Sequence, residues 1–378
     1  MTYRLACKYN HPDWLRLFNF FMAKIEFSYI KRDLQFRFEA GTSRGVLTSK
    51  EVFWIRATSQ DNPEVLGWGE AAPLVKLSPD DRPDFEIFLA QKLQEISQIN
   101  WEITEPAILN QVEEIIPFEW PSIRFGIETA LLDLLKGGRK VIFETPFSSQ
   151  EIPMPINGLI WMGTPEFMST QIDQKLQEGF DCIKMKIGAI DFDQELRLLD
   201  YIRQRFSPEQ IVLRVDANGA FSHEEALSKL KKLAQLSLHS IEQPIPAGNR
   251  EAMKTLCKDS PLPIALDEEL IGVKDKEQLL DSICPQYIIL KPTLLGGIKE
   301  CQAWISIAEQ RGIGWWMTSA LESNIGLNAI SQFTATFQPS IPQGLGTGKL
   351  FHNNLESPLE VSAGKIYYRR NVTWEEPA

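Results

Sequence analysis

The sequence predicts an α/β protein in which a small α+β domain precedes a TIM-like β/α barrel. In the second part of the chain, after Pro153, short apolar segments alternate with helix-length polar segments at about 25 residues per unit. That alternation is typical of parallel strands joined by crossover helices, and a barrel is the most economical arrangement of so many units. In the first part, alternating strand-like runs such as residues 24–30 and 51–57 come before helix-like segments between residues 83 and 112. Strands followed by helices indicate an α+β domain.

The strands of the barrel are predicted from short apolar runs that are bounded by turn residues. Seven runs qualify, and an eighth, near Gly344, is weaker. The seven are residues 155–159, 182–187, 211–216, 240–242, 264–267, 287–291 and 314–318. An amphipathic helix is predicted before them at residues 122–135, because Pro121 and Gly137 mark its start and its end.

These patterns divide the chain into an α+β domain, residues 22–120, and a barrel domain, residues 121–354. Residues 1–21 lack the pattern of a secretory signal and are predicted to be a poorly ordered extension. The tail, residues 355–378, returns to strand-like sequence. We expect it to pack back on the first domain.

Composition limits the classes of partner. The formal net charge of −11 argues against nucleic acid and against an anionic membrane surface. The sequence contains no run of about 18 apolar residues, so it predicts no membrane-spanning helix. The five cysteines include no C-x-x-C pair, which favours free thiols in a reducing cytoplasm over a disulfide framework. Composition leaves the oligomeric state open.

Two lysines in the second barrel strand are the first sign of a functional site. Lys184 and Lys186 are two positions apart, so their side chains point to the same face of a strand. Two like charges on one face are unfavourable unless an acidic or liganded cavity receives them. The alternative is a solvated edge strand with two surface lysines.

Charged residues at the ends of the following strands favour the cavity. Asp216, Glu242, Asp267 and Lys291 follow one another at intervals of 26, 25 and 24 residues, so each takes the same place in its unit. In a barrel those places form a ring at the carboxyl-terminal mouth, where active sites lie. Each acid alone could be a helix N-cap, but a cap does not explain the shared register.

The residue types predict the chemistry of such a ring. Three carboxylates without His or Cys favour a hard cation, Mg²⁺ over Zn²⁺, and Mn²⁺ accepts the same ligands. A cation held by three carboxylates can still bind the carboxylate of a small-molecule substrate. Removal of the proton α to that group creates an enediolate, which the cation and the neighbouring lysines would stabilise. A lysine near other positive charges also loses proton affinity and can act as the base.

These motifs resemble the enolase superfamily in its muconate-lactonising branch. The residues that carry the resemblance are Lys184-Met-Lys186, Asp216-Ala-Asn218, Glu242-Gln-Pro, Asp267-Glu268 and Lys291, with Gly67-Trp-Gly-Glu70 in the first domain. The resemblance implies a modified TIM barrel with an N-terminal capping domain whose loops close over the mouth. It implies Lys186 and Lys291 as catalytic residues, and Asp216, Glu242 and Asp267 as metal ligands. It also implies Lys184 at the substrate and supporting roles for Asn218 and Glu268, with Gly41 to Gly45 as the lid loop and Arg44 contacting an anionic substrate.

The resemblance narrows the reaction further. Residues 319–326, Ser-Ala-Leu-Glu-Ser-Asn-Ile-Gly, are similar to the corresponding stretch of o-succinylbenzoate synthases, with Ser319 expected at the succinyl end of the substrate. Dipeptide epimerases of the branch usually carry Asp-x-Asp at the end of strand eight, where this chain has Gly344-Leu-Gly-Thr347. The implied reaction is a metal-assisted dehydration of 2-succinyl-6-hydroxy-2,4-cyclohexadiene-1-carboxylate toward menaquinone.

Two alternatives stay open at this stage. A racemase of N-acylamino acids or a dipeptide epimerase would use the same lysines and carboxylates, so the core residues do not separate it from a dehydratase. A catalytically silent barrel that serves as a binding or scaffold protein would be expected to have lost a ligand or a lysine, and this chain retains all of them. A P-loop or Rossmann enzyme is disfavoured, because the chain has no G-x-G-x-x-G or G-x-x-x-x-G-K-[ST] motif.

Overall fold

A computed structural model describes residues 22–42 and 45–378 and confirms the predicted fold class. The N-terminal part is an antiparallel sheet of order β3-β2-β1-β4, against which two helices pack. Its elements are β1 (Met22–Thr42), β2 (Gly45–Ser59), β3 (Asn62–Ala71), α1 (Phe85–Ile96), β4 (Asn100–Glu102) and α2 (Glu105–Ile115). The predicted N-terminal extension, residues 1–21, lies outside the described residues.

The barrel is built from parallel strands in the order β12-β11-β10-β9-β8-β7-β6. Its strands are β6 (Gly158–Ile160), β7 (Cys182–Lys186), β8 (Val212–Asp216), β9 (Ser240–Glu242), β10 (Ile264–Leu266), β11 (Tyr287–Leu290) and β12 (Gly314–Met317), and they are preceded by the short strand β5 (Met154–Pro155), which lies outside the parallel sheet. Its helices are α3 (Pro121–Leu135), α4 (Pro146–Gln150), α5 (Pro165–Gln177), α6 (Phe192–Arg203), α7 (His223–Ala234), α8 (Arg250–Asp259), α9 (Lys276–Ile283), α10 (Pro292–Leu295), α11 (Ile298–Gln310) and α12 (Asn324–Ala335).

The weak eighth strand is reduced to two bridges that close the barrel. Gly344 pairs with Thr318 beyond β12, and Gln343 pairs with Ile156 between β5 and β6. The closed barrel therefore leaves neither β6 nor β12, the two ends of the sheet, as an open edge. The helices cover the outside of the sheet, so its strands are buried on both faces, as the continuous apolar runs predicted.

Helix α3 joins the two domains; the helix is confirmed at its predicted place, but the prediction that it is amphipathic was wrong. Every residue from Pro121 to Leu134 is buried, because the helix lies between the capping sheet and the barrel. Its contact with β3 is close enough to require glycine: a Cβ at Gly69 would lie 2.0 Å from the carbonyl oxygen of Gly126. The Gly-Trp-Gly-Glu stretch of β3 is therefore a helix-packing surface.

The hairpin between β1 and β2 brings the capping domain to the barrel mouth. Thr42 pairs with Gly45 across the turn, and Gly41 bridges to Met162, just beyond the carboxyl end of β6. The predicted lid loop is therefore the tip of this hairpin. Arg44, the predicted substrate contact in that loop, lies outside the described residues.

The C-terminal tail contacts both domains, so it adds a contact with the barrel domain to the predicted packing on the first domain. Strands β13 (Leu359–Ser362) and β14 (Lys365–Tyr368) form a hairpin that pairs with β5 of the barrel domain. Leu355 and Trp374 reach the capping domain, where they pack on the apolar cluster that contains Trp54.

Two further expectations were compared with the described residues. Their helices include none that is long and apolar enough to cross a membrane. Cys182, Cys257, Cys284 and Cys301 are free thiols. Cys7 lies outside the described residues.

Candidate active site

The strand register brings the predicted residues to one end of the barrel. On β7, Lys184 and Lys186 are 5% and 8% exposed, so they are not surface lysines of an edge strand. Lys186 lies beside Asp216 in the register of β7 and β8, and Asp216 lies beside Glu242 in that of β8 and β9. Asp267 and Lys291 directly follow β10 and β11. All five side chains therefore meet at the carboxyl-terminal mouth.

The charged groups form a continuous chain of alternating sign. Lys186 Nζ donates to Asp216 Oδ2 at 3.0 Å, and Lys184 Nζ contacts the same oxygen at 3.2 Å. Lys184 also donates to Glu242 Oε2 at 2.6 Å. Lys291 Nζ lies 3.8 Å from the other oxygen of Glu242 and is hydrogen-bonded to Asp267. Three ammonium groups thus balance three carboxylates, which lowers the cost of burying them.

The side chain of Asn218 extends this chain to Glu268. Its Oδ1 accepts a hydrogen bond from Lys186 Nζ at 2.7 Å, and its Nδ2 donates to Glu268 Oε1 at 3.1 Å. The Asn218 backbone N–H donates to Asp216 Oδ1 at 3.0 Å. Asn218 therefore orients both the base predicted for the reaction and one of the predicted metal ligands.

Mutual attraction keeps the ring ionised in part. Burial lowers the pKa of Lys184 and Lys291, but the carboxylates raise both pKa values above their ordinary range. Burial also opposes ionisation of Asp216, but Lys186 and Lys184 hold its pKa below its ordinary value. For Glu242, burial and the nearby Asp216 raise the pKa. The negative charge of the ring carboxylates is thus balanced by lysine side chains, which a metal cation can replace.

The donor set fits a hard divalent cation. All of the predicted ligand atoms are carboxylate oxygens, and Glu242 Oε1 is buried without a hydrogen-bond partner. In the part of the chain that the structure describes, however, no three Asp, Glu, His or Cys side chains stand close enough together to hold a metal ion. The lysine ammonium groups lie between neighbouring carboxylates instead. Metal ligation by Asp216, Glu242 and Asp267 therefore requires these lysines to move aside, and it stays a prediction.

A cavity of about 270 Å³ opens onto the charged ring. Lys184, Lys186 and Lys291 line it from the barrel, and the capping domain covers it. Its apolar walls are Val46, Leu47, Leu74, Leu159, Trp161 and Leu321. Sequence patterns did not single out these wall residues, because an apolar side chain carries no signal that separates a cavity from a core.

A second cavity of about 410 Å³ lies beside the first. The two share Leu159, Trp161, Lys184 and Thr318. The glycine turn at Gly344 and the side chain of Asn157 line the second cavity. Asn157 Oδ1 and Thr318 Oγ1 are buried there without a hydrogen-bond partner among the described residues, which leaves both able to bind a polar group.

Ser319 has a different environment from the one that the sequence suggested. Its hydroxyl donates to Glu322 Oε2 at 2.6 Å and accepts from Thr347 Oγ1 at 2.8 Å and from the Leu321 N–H at 3.0 Å. One donor and two acceptor positions are the full capacity of a hydroxyl. The structure therefore shows Ser319 bonded within its own loop, and its contact with substrate stays a prediction.

Two capping-domain residues that were not predicted to matter hold this loop. Lys50 Nζ donates to the carbonyl oxygen of Ala320 at 2.5 Å, and Glu70 accepts from the Ser323 N–H at 2.8 Å. Both side chains are buried. The sequence placed Glu70 in a family signature but offered no partner for it.

The chain is similar to known proteins over most of its length. A family model described as "Enolase C-terminal domain-like" matches residues 168–371. The chain is 48% identical over 368 residues to an o-succinylbenzoate synthase of Desulfotalea psychrophila, a match that covers 91% of this chain and 99% of that protein. The crystal structure of MenC from Desulfotalea psychrophila superposes with a TM-score of 0.82 at 44% identity, over 91% of this chain and 100% of that chain.

Two more distant structures show the fold alone. A muconate lactonizing enzyme from Pseudomonas fluorescens, complexed with muconolactone, has a TM-score of 0.77 at 23% identity and covers 91% of this chain and 94% of that one. A dipeptide epimerase from Enterococcus faecalis, complexed with Mg and the dipeptide L-Leu-L-Tyr, has a TM-score of 0.79 at 19% identity and covers 93% and 98%.

Proposed function

The chain belongs to the enolase superfamily, in its muconate-lactonising branch, and from this premise we propose that it is an o-succinylbenzoate synthase, a hydro-lyase of menaquinone biosynthesis. The observation that carries the proposal is its 48% identity to such an enzyme over nearly the whole of both chains. The acid-free glycine turn at Gly344 agrees with it, because an epimerase would need an acid there to bind the ammonium of a dipeptide.

Two lysines on opposite sides of the barrel act on the substrate, and one of them, Lys186, supplies the acid–base chemistry. Strands β7 and β11 are four positions apart in the order of the sheet, so Lys186 and Lys291 face each other across the mouth. Lys186, as the neutral amine, takes the proton α to the ring carboxylate, and the electron pair of that C–H bond moves into an enediolate. Lys186 then returns the proton to the hydroxyl on the same face, the C–O bond breaks, and water leaves.

The other charged groups stabilise the intermediate. Lys291 stands opposite the base, and its charge lowers the energy of the enediolate. Lys184 approaches the substrate carboxylate. Asp216, Glu242 and Asp267 would hold a divalent cation, Mg²⁺ or Mn²⁺, which would neutralise developing negative charge and favour the neutral amine of Lys186.

The second cavity is where we place the succinyl group. It adjoins the charged ring through Lys184 and Thr318, so a substrate with its ring carboxylate at the lysines can extend its tail there. The unpaired hydroxyl of Thr318 would donate to an oxygen of that tail. Asn157 can present its amide N–H₂ by rotation about the side chain.

The purified protein tests the proposal when both reactions are assayed side by side. The protein is treated with EDTA, then supplied with Mg²⁺ or Mn²⁺, and formation of o-succinylbenzoate is followed by chromatography. We expect turnover to fall to below about 1% without the cation and to return with it, because several kcal/mol of charge stabilisation is lost. An N-succinylamino acid is tested for racemisation under the same conditions. Racemisation without dehydration would show that the chain is a racemase instead.

A further inference from the structure

The residue after Glu242 is tied to all three strand ends that carry the predicted metal ligands. We propose that Gln243 is the positioning residue that sets the spacing of Asp216, Glu242 and Asp267. The inference rests on the proposed function, since it concerns the same cation site. It gives a role to the middle residue of the Glu242-Gln-Pro motif, which the reaction itself does not use.

The backbone of Gln243 links β9 to both of its neighbours. Its N–H donates to the carbonyl oxygen of Ala265 in β10 at 2.9 Å, and its carbonyl oxygen accepts from the N–H of Gly219, in the loop after β8, at 2.7 Å. These bonds require a left-handed backbone at Gln243, with φ of 39°. A residue other than glycine takes this conformation at a cost, and such strain is concentrated at functional sites.

The side chain of Gln243 binds the backbone around Asp267, and these contacts use every hydrogen-bond donor and acceptor of its amide. Its Oε1 accepts from the backbone N–H groups of Asp267 at 3.2 Å and Glu269 at 3.3 Å. Its Nε2 donates to the carbonyl oxygen of Ile245 at 3.0 Å and to Glu269 Oε2 at 3.3 Å. The side chain is fully buried, so water does not substitute for these partners from bulk solvent.

The geometry explains how one amide can affect three carboxylates. Glu242 is the covalent neighbour of Gln243, and Asp267 is held through its own N–H. Asp216 ends β8, and the loop that follows it contains Gly219, whose N–H donates to the Gln243 carbonyl oxygen. Groups that orient metal ligands typically change metal affinity by about 10–100-fold when they are removed. Loss of the amide should therefore weaken cation binding, although Gln243 touches neither the cation nor the substrate.

Gln343 provides a matched control on the other side of the barrel. It is also fully buried, and its amide also binds the end of a strand: Oε1 accepts from the N–H of Met317 in β12, and Nε2 donates to the carbonyl oxygen of Ile341 in its own segment, both at 2.8 Å. No predicted metal ligand is adjacent to it. A Gln→Met change at either position removes an amide of similar burial and keeps the side-chain volume.

The experiment measures cation affinity directly, by titration of the metal-free protein with Mn²⁺ and detection of free Mn²⁺ by electron paramagnetic resonance. Thermal melts of the same samples report on stability. We expect Gln243→Met to weaken Mn²⁺ binding by at least about 10-fold, and Gln343→Met to leave it within about 2-fold, at comparable losses of thermal stability. If a methionine variant does not fold, Mn²⁺ affinity and thermal stability are compared in a second pair of variants, Gln243→Glu and Gln343→Glu.

The outcomes separate this inference from the proposed function. Equal Mn²⁺ affinity in the wild type and the Gln243 variants would overturn the positioning role while leaving the cation site intact. Equal weakening at Gln243 and Gln343 would also overturn it, because the effect would then be one of general destabilisation. A wild type that binds no Mn²⁺ would overturn the cation site itself, and with it this inference.

Discussion

Two sets of buried carboxylates differ in what neutralises them. In the active-site ring, Asp216, Glu242 and Asp267 face lysine side chains. At the junction of the domains, a second set, which we call the interface carboxylates, accepts hydrogen bonds from backbone N–H groups. Its members are Glu70, Asp80, Glu128 and Asp133, which bind the N–H groups of Ser323, Ser122, Ile298 and Trp68, respectively.

The difference separates exchangeable charge from structural charge. A lysine side chain can swing away and leave its carboxylate to another cation, whereas a backbone N–H leaves only if its helix or strand moves. The pKa values follow this division only at Asp216, because burial also raises the pKa of the ring carboxylates Glu242 and Asp267. Burial raises the pKa of Glu128 to about 8, of Glu70 to about 7, and of Asp80 and Asp133 to about 6. Lysines instead lower the pKa of Asp216 below its ordinary value, although burial opposes them.

The largest effect is expected when a ring lysine is removed. Lys186→Ala should lower kcat by about 10²–10⁴-fold, the contribution of a positioned acid–base group. The melting temperature should change little, because Lys184 still contacts Asp216 at 3.2 Å. Steady-state kinetics and thermal melts measure both. Lys274→Ala is the control, since that lysine is exposed and pairs with Glu119, which is not a member of the ring. Unchanged turnover in Lys186→Ala would exclude Lys186 as the base.

Lys186→Ala should change turnover more than stability, and a change at an interface carboxylate should do the reverse. It should alter the stability of the fold and the pH dependence of that stability, but not turnover. The pKa of Glu128 is about 8 in the folded chain against an ordinary value of 4.5. Between those values the folded chain holds a proton that the unfolded chain releases, so stability falls as pH rises, by about 1.4 kcal/mol per pH unit from this group. Glu128→Gln removes that slope.

Urea unfolding at about pH 5.5, 6.5 and 7.5 tests this expectation, with the slope of stability against pH compared between the wild type and Glu128→Gln. The variant should gain stability relative to the wild type as pH rises. Parallel slopes would mean that Glu128 is ionised throughout, as the ring carboxylate Asp216 is. Glu128 would then not differ in ionisation from the ring carboxylate Asp216, and the contrast between the two sets would not hold for it.

The smallest effect is expected at Ser319, where the predicted substrate contact and the observed loop contacts differ. If the hydroxyl serves the loop, Ser319→Ala should cost about 1–2 kcal/mol of stability, because Glu322 and Thr347 lose a buried partner. The KM should then stay within about 3-fold, since loss of a substrate hydrogen bond would cost more. A large rise in KM at unchanged stability would restore the substrate contact.

Much of the fold was predictable because its repeats are regular. Each β/α unit places its last strand residue at the same rim, so the spacing of Asp216, Glu242, Asp267 and Lys291 was enough to group them. Helix α3 was predicted less well. Its apolar periodicity indicated one buried face, but the small residues Gly126 and Ala130 let β3 approach from a second side, which a one-sided pattern does not report.

The partners of the buried acids were outside the reach of sequence patterns. Glu70 and Ser323 are 253 positions apart, and their contact depends on how β3 lies against α12. Lys50 and Ala320 are 270 positions apart. No local propensity encodes such pairs, because they follow from the packing of one domain on the other.

The sequence alone determined which ionisable groups this protein has and at which rim of the barrel they gather, because parallel strands of regular spacing bring equivalent positions together. Only the tertiary structure decided which cation faces which carboxylate, and which acids are held by backbone amides instead. The physical reason is that a buried charge must be neutralised by whatever group packing brings within a few ångströms, and that neighbour is chosen by the fold as a whole.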